Sequence, residues 1–152
     1  MLTDHYTALL HLHSGLRWLV LLSGCVLVVG CVAGKLGIFP YRPLGKMLST
    51  VYVSLMDLQF LAGLTLSFAS PLVRSFWSDP AAGMKSHDLR FFAVEHTTLM
   101  ITALVLAHIG SVRSRKALKN SDSSAYGTAL KWFAVSLALI LMGIPWWRPF
   151  LG

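Results

Sequence analysis

The sequence predicts an all-α integral membrane protein, a four-helix bundle with both chain ends outside the cytoplasm. The chain is 55% hydrophobic and only 12% charged, whereas charged residues make up about 25% of a typical soluble domain. Its mean hydropathy is +0.65. Four apolar stretches are long enough to cross a hydrocarbon core, which takes roughly 20 residues in a helix.

The four predicted spans are joined by three connections of different character. A turn that contains Pro40 joins the first two, and a polar, serine-rich segment, 116–127, joins the last two. The segment 71–90 between spans two and three is longer, and its aromatic residues suit the membrane interface, where amphipathic rings settle at headgroup level. Pro145 and two tryptophans end span four. We expect a single transmembrane domain, residues 1–152, with spans at about 12–33, 47–69, 91–112 and 129–147.

The positive charge of the chain is concentrated in two connections. Lysine and arginine crowd the segments between spans one and two and between spans three and four, whereas aspartates dilute the basic residues on the other side. By the positive-inside rule, the two basic connections are cytoplasmic and both termini are outside. The net charge of +7 therefore indicates membrane orientation rather than nucleic-acid binding. A C-terminal reporter that works only in the cytoplasm should stay inactive, and activity would contradict this topology.

Two spans carry ionisable clusters near the same end of the bundle. These are His13 with Arg17 in span one and Glu95 with His96 in span three. An ionisable group deep in a bilayer costs roughly 2.5 to 3.5 kcal/mol on insertion scales, so it usually has a partner or a function. At about 100° per residue, each histidine shares a helix face with small side chains. Two such faces leave a slot for a flat molecule.

A haem meets these requirements, because its iron takes axial ligands from opposite sides and four-helix bundles often hold such groups between helices. His13 and His96 are the predicted axial ligands of one b-type haem. Arg17 and Arg90 are candidates to neutralise its propionates, and Arg17 could instead pair with Glu95. Taken alone, either histidine would more often be an interfacial or hydrogen-bonded group.

Four other side chains in the spans leave alternatives open. His108 lies about 18 Å along the helix from His96, so it suits a second haem, a quinone hydrogen bond or an interfacial position. Asp57 could be a protonated acid or could serve His108 or a substrate proton. Gln59 could bind the cofactor or a quinone carbonyl. The thioether of Met100 could ligate iron, although packing is its more usual role.

Several motifs resemble those of the small bacterial four-helix membrane proteins usually labelled cytochrome B. They are HLHSGLRW at 11–18, DLQFLAG at 57–63, RFFAVEHTTLM at 90–100 and HIG at 108–110. In architecture alone, the chain is more distantly similar to CopD-like and HemJ-like proteins. The resemblance implies a multi-pass protein of the bacterial inner membrane that binds haem. It implies the following site residues: His13, Arg17, Gln59, Arg90, Glu95, His96 and His108. Relatives often carry histidine at the position where this chain has Asp57. The absence of that histidine here argues against a second haem ligated from span two.

The expected function is electron transfer to or from a quinone or a partner redox subunit, which makes the chain an electron carrier more than a stand-alone enzyme. A second possibility is a membrane oxidoreductase that acts on a quinol or porphyrin, with Asp57, Glu95 and His108 as a proton relay. A third is a cofactor-free assembly subunit of a membrane complex. The expected partners are the lipid bilayer, the quinone or redox protein, and a further copy or larger complex, but not nucleic acid.

Overall fold

The computed structural model describes residues 2–148, and their side chains from His5 onward. The described residues are 87% helical, which confirms the predicted all-α class. Met1 and residues 149–152, which the predicted single domain includes, lie outside the described residues. In chain order the helices are α1 (Leu2–Lys35), α2 (Lys46–Ala69), α3 (Pro71–Ser78), α4 (Pro80–Gly83), α5 (His87–Arg90), α6 (His96–Ala117) and α7 (Asp122–Gly143). A π-helical turn, Phe91–Glu95, joins α5 to α6.

Four helical stretches of the described residues are long and apolar enough to cross a membrane, as the sequence predicts. They are His5–Lys35, Tyr41–Ala69, His87–Ala117 and Asp122–Gly143. The ends of the last one differ from the prediction of 129–147. α7 begins at Asp122 because the Ser121 side chain caps it by accepting a hydrogen bond from the backbone N–H of Ser124. It ends at Gly143 because Ile144 is extended, as the residue before a proline prefers.

The predicted interfacial segment 71–90 folds into the short helices α3, α4 and α5. Their starts follow local capping chemistry. The Ser70 side chain accepts a hydrogen bond from the N–H of Val73, and the Asp79 side chain accepts one from the N–H of Ala82. Phe76 of α3 is buried, with its ring against Gly83 of α4. The short helices therefore cover one end of the bundle.

The long helices form a ring in which α1 packs against α2 and α7, while α6 packs against α7 and α2. α1 and α6 therefore lie on a diagonal of the bundle. We call the end that carries the connections 36–45 and 118–121 the basic end, and the end that carries 70–95 the site end. The predicted ligands His13 and His96 belong to diagonal helices and lie near the site end.

Tyrosines fill the basic end and the middle of the bundle. Tyr41, Tyr52 and Tyr126 are fully buried. The Tyr52 hydroxyl lies 3.0 Å from the Ser136 hydroxyl, which in turn donates to the Ala103 carbonyl at 2.8 Å. The Tyr126 ring packs so closely on α1 that a Cβ at Gly34 would overlap it. These contacts fill the interior of the bundle toward the basic end.

Candidate functional site

A cavity of about 240 Å³ lies at the site end, between the four long helices and α3. Its volume is just below the range of roughly 300 to 1,000 Å³ that is typical of ligand pockets, and it is partly open to its surroundings. Its deep wall is apolar. Its lining contains basic and neutral polar side chains but no aspartate or glutamate among the described residues. The principal polar members are His13, Arg17, Gln59, His96 and Arg148. The cavity therefore suits a mainly apolar ligand with anionic groups.

His96 is held in a tautomer that leaves its Nε2 free to bind a metal. Its Nδ1 lies 2.8 Å from the carbonyl oxygen of Gly143. Because a carbonyl only accepts, Nδ1 carries the proton and Nε2 keeps its lone pair. Metal-ligating histidines commonly donate their other ring N–H to a carbonyl in this way. Gly143 can accept this bond because the last carbonyls of a helix have no partner within it.

His13 lies against α2. An ideal Cβ at Gly63 would approach the His13 Cε1 to 2.9 Å, so the imidazole occupies the space that a larger side chain would need. Gln59 supports the same turn of α1, because its Nε2 donates to the His13 carbonyl at 3.0 Å and lies 3.3 Å from the His13 Nε2. The His13 Nδ1 and the Gln59 Oε1 are buried with no hydrogen-bond partner among the described residues. Such unpaired buried groups are costly, which favours a bound molecule that pairs with one of them.

The two imidazoles meet across the bundle. Their ring centroids are 6.2 Å apart and their planes cross at 76°. Two imidazoles on opposite sides of one metal ion would have centroids about 6 Å apart, because each metal–nitrogen bond is about 2 Å long and each ring centre lies about 1 Å beyond its nitrogen. The structure thus brings together the two residues that the sequence pairs as ligands. Met100 also lines the cavity, one turn after His96 on the same helix.

Two arginines at the site end, Arg90 and Arg148, differ in their position relative to the cavity. The Arg90 Nε donates to the Glu95 carboxylate at 2.6 Å and its Nη1 donates to the Met84 carbonyl. Arg90 and Glu95 lie outside the lining of the cavity. Arg148 lines it instead, with its guanidinium 4.6 Å from the centroid of the Phe92 ring and its Nη2 donating to Asp88 at 2.8 Å.

His108 and Asp57 form a separate pair. The His108 Nε2 lies 2.8 Å from the Asp57 Oδ1, and the two side chains are 51% and 46% exposed. Neither residue is part of the cavity lining. The structure therefore supports the interpretation in which Asp57 serves His108, and it places both residues away from His13 and His96.

Three residues of the site were missed by the sequence analysis: Gly63, Gly143 and Arg148. Gly63 contributes the absence of a side chain, which has no signature in the sequence, whereas Gly143 contributes a carbonyl. The end of span four does indicate a free carbonyl in the sequence, because Pro145 ends the helix and leaves its last carbonyls without partners. This helix end lies at the depth of the two histidines. Arg148 directly follows the two tryptophans at the end of span four.

The described residues contain no group of three or more histidine, cysteine, aspartate or glutamate side chains placed to hold a metal ion. A haem iron requires only two protein ligands, since the porphyrin supplies the others. Comparisons with protein-family models, curated proteins and solved structures gave no match to this chain.

Proposed function

We propose that this chain is a b-type haem-binding protein of the bacterial inner membrane that transfers electrons to or from a quinone or a partner redox protein. One observation carries the proposal. Two imidazoles from diagonal helices face each other with centroids 6.2 Å apart, beside a cavity, and the Gly143 carbonyl leaves the Nε2 of His96 ready to bind a metal.

The residues present fit a haem at several points. His13 and His96 would bind its iron, and the apolar deep wall would contact the porphyrin. Arg17 and Arg148 would bind its two carboxylates, because they are the arginines that line the cavity. When bound, a haem supplies one-electron chemistry, with a potential that its ligands, burial and nearby charge adjust.

The chain itself has three tasks in this proposal. The Gly143 carbonyl orients the His96 ring and increases its basicity. Gly63 and Gln59 fix the position of His13. The packed tyrosines toward the basic end separate the site from the other side of the bundle. With the basic end in the cytoplasm, the site lies near the outer face, so transfer across the whole membrane would require a quinone or another redox centre.

Optical spectra of the purified protein test the proposal. The oxidised protein should show a Soret band, and dithionite should produce a sharp α band, with about one haem per chain. Expression should be carried out with haem precursor supplied, so that cofactor supply does not limit occupancy. A folded protein that stays colourless under those conditions would contradict the proposal and would favour a cofactor-free assembly subunit.

The choice between Arg148 and Arg90 as a carboxylate partner gives a separate prediction. We expect Arg148→Gln to weaken haem binding about tenfold, because a hydrogen bond to a charged group contributes about 1.5 to 3 kcal/mol and this side chain is partly exposed. Arg74→Gln is the matched control, since Arg74 lies at the same end and donates to the Ala69 carbonyl. Haem titration of the apoprotein measures the effect. A larger loss in Arg90→Gln than in Arg148→Gln would favour the assignment made from the sequence.

A further inference from the structure

The Asp57–His108 pair lies in the middle of the bundle surface rather than at a membrane interface. Asp57 is near the centre of α2, and His108 is near the centre of α6. About half of each side chain is exposed on the outside of the bundle. In a bilayer, this surface would meet hydrocarbon, where polar groups are costly unless protein or water covers them. Something is therefore expected to cover the pair.

The pair offers one donor and one acceptor to whatever covers it. The His108 Nε2 and the Asp57 Oδ1 already share a hydrogen bond. When the pair is neutral overall, one proton is shared between the His108 Nε2 and the Asp57 Oδ1. Whichever of these atoms holds it, the His108 Nδ1 carries another proton and the Asp57 Oδ2 can accept a hydrogen bond. This surface is self-complementary, because the donor of one pair fits the acceptor of an identical pair.

The surrounding surface suits another helix pair better than a small molecule. Ligand sites are concave, whereas the pair lies outside the lining of the cavity at the site end. The two spans that carry the pair are also the least buried. In the most apolar 18 residues of each span, the buried share is 17% and 11% for these two, compared with 28% and 39% for the other two. Exposed residues extend from the pair at alternating spacings of three and four, which is the pattern of helix packing surfaces. This α2–α6 face consists of Ser54, Asp57, Leu61, Val105, His108 and Val112.

We propose that the α2–α6 face is the interface of a twofold homodimer in the membrane. With the symmetry axis along the membrane normal, the two pairs lie at equal depth. The His108 Nδ1–H of each copy then donates to the Asp57 Oδ2 of the other, so every contact occurs twice, as in any isologous interface. Interhelical hydrogen bonds between polar side chains are a common source of association in membranes. This inference is independent of haem binding.

Disulfide crosslinking between differently tagged copies tests the dimer. In a Cys25→Ala background, one copy carries Ser54→Cys and the other carries Val112→Cys. Both positions are exposed and lie one turn from the pair toward the basic end. Because α2 of one copy faces α6 of the other, oxidation of native membranes should link the two tags. The control pairs Val112→Cys with Val29→Cys, an exposed position at similar depth on α1, and should not crosslink.

Removing the polar pair gives the second arm of the test. The double variant Asp57→Leu with His108→Leu leaves no unpaired charge, so the helices should still fold, as circular dichroism would show. We expect the dimer dissociation constant in detergent to rise at least about tenfold, since two interhelical hydrogen bonds are lost. Any of four results would overturn the proposal. These are crosslinking at position 29 as strong as at position 54, no crosslinking, linkage only to a different protein, and an unchanged dissociation constant. Haem content does not enter any of these readouts.

Discussion

Under the proposed haem-binding function, replacing His96 with alanine is expected to abolish the haem absorbance. The change removes the imidazole whose Nδ1 is fixed by the Gly143 carbonyl, and the empty space beside that carbonyl cannot hold the iron. His13→Ala should have a similar effect. Because losing only a supporting partner of a metal ligand costs about 10- to 100-fold in affinity, losing the ligand itself should cost more than that. Haem content per chain and reduced-minus-oxidised spectra measure both variants.

Two controls separate ligation from folding. His11→Ala removes an exposed histidine of the same helix and should keep the spectrum of the original protein. Added imidazole should restore part of the Soret band in His96→Ala, since it can enter the space that the side chain left. Unchanged bands in both the His96 and the His13 variants would refute the ligand assignment. Loss without any rescue by imidazole, together with lost helical content, would indicate a structural role.

Gly63→Ala should weaken haem binding without removing any ligand. The added methyl would approach the His13 Cε1 to 2.9 Å, so the imidazole must move away from its position opposite His96. We expect the affinity for haem to fall about 10- to 100-fold, as it does when the support of a metal ligand is lost. The free energy of unfolding of the apoprotein should not fall in parallel, because alanine favours a helix over glycine by about 0.5 to 1 kcal/mol. Haem titration and thermal unfolding measure the two effects.

Gly15→Ala is the matched control for this variant. Gly15 lies on α1 near His13, and a Cβ there would have open space. It should therefore gain the same helix preference and keep its affinity for haem. Equal affinities of the Gly63 and Gly15 variants would show that the position of His13 does not matter for binding.

Much of the fold follows from hydropathy, because crossing a bilayer requires long apolar helices. The ends of the helices do not follow from it. α1 begins at Leu2 rather than near residue 12, since a helix can continue beyond the part that a membrane covers. α7 begins at the Ser121 cap, inside the segment predicted to be a polar connection. Capping residues and prolines determine these boundaries, and hydropathy is insensitive to them.

The candidate site was predictable only where a single residue stands out in the sequence, as an ionisable side chain does within an apolar span. His13 and His96 are ionisable groups at equal depth, and the structure brings their rings together. Their meeting across a diagonal depends on the order of the helices around the bundle, which the sequence does not specify. The same order decides that Asp57 meets His108, since α2 and α6 are neighbours. The sequence did not indicate the Arg90–Glu95 ion pair, which forms across the π-helical turn between α5 and α6 and lies outside the cavity lining.

The proposed haem site is tested most directly by identifying the ligands of its iron in the oxidised protein. Near-infrared magnetic circular dichroism, combined with electron paramagnetic resonance, distinguishes low-spin iron held by two imidazoles from iron held by an imidazole and a thioether. We predict two imidazoles, from His13 and His96. A thioether signal, which would point to Met100, or a high-spin iron with a single imidazole would contradict the site described above.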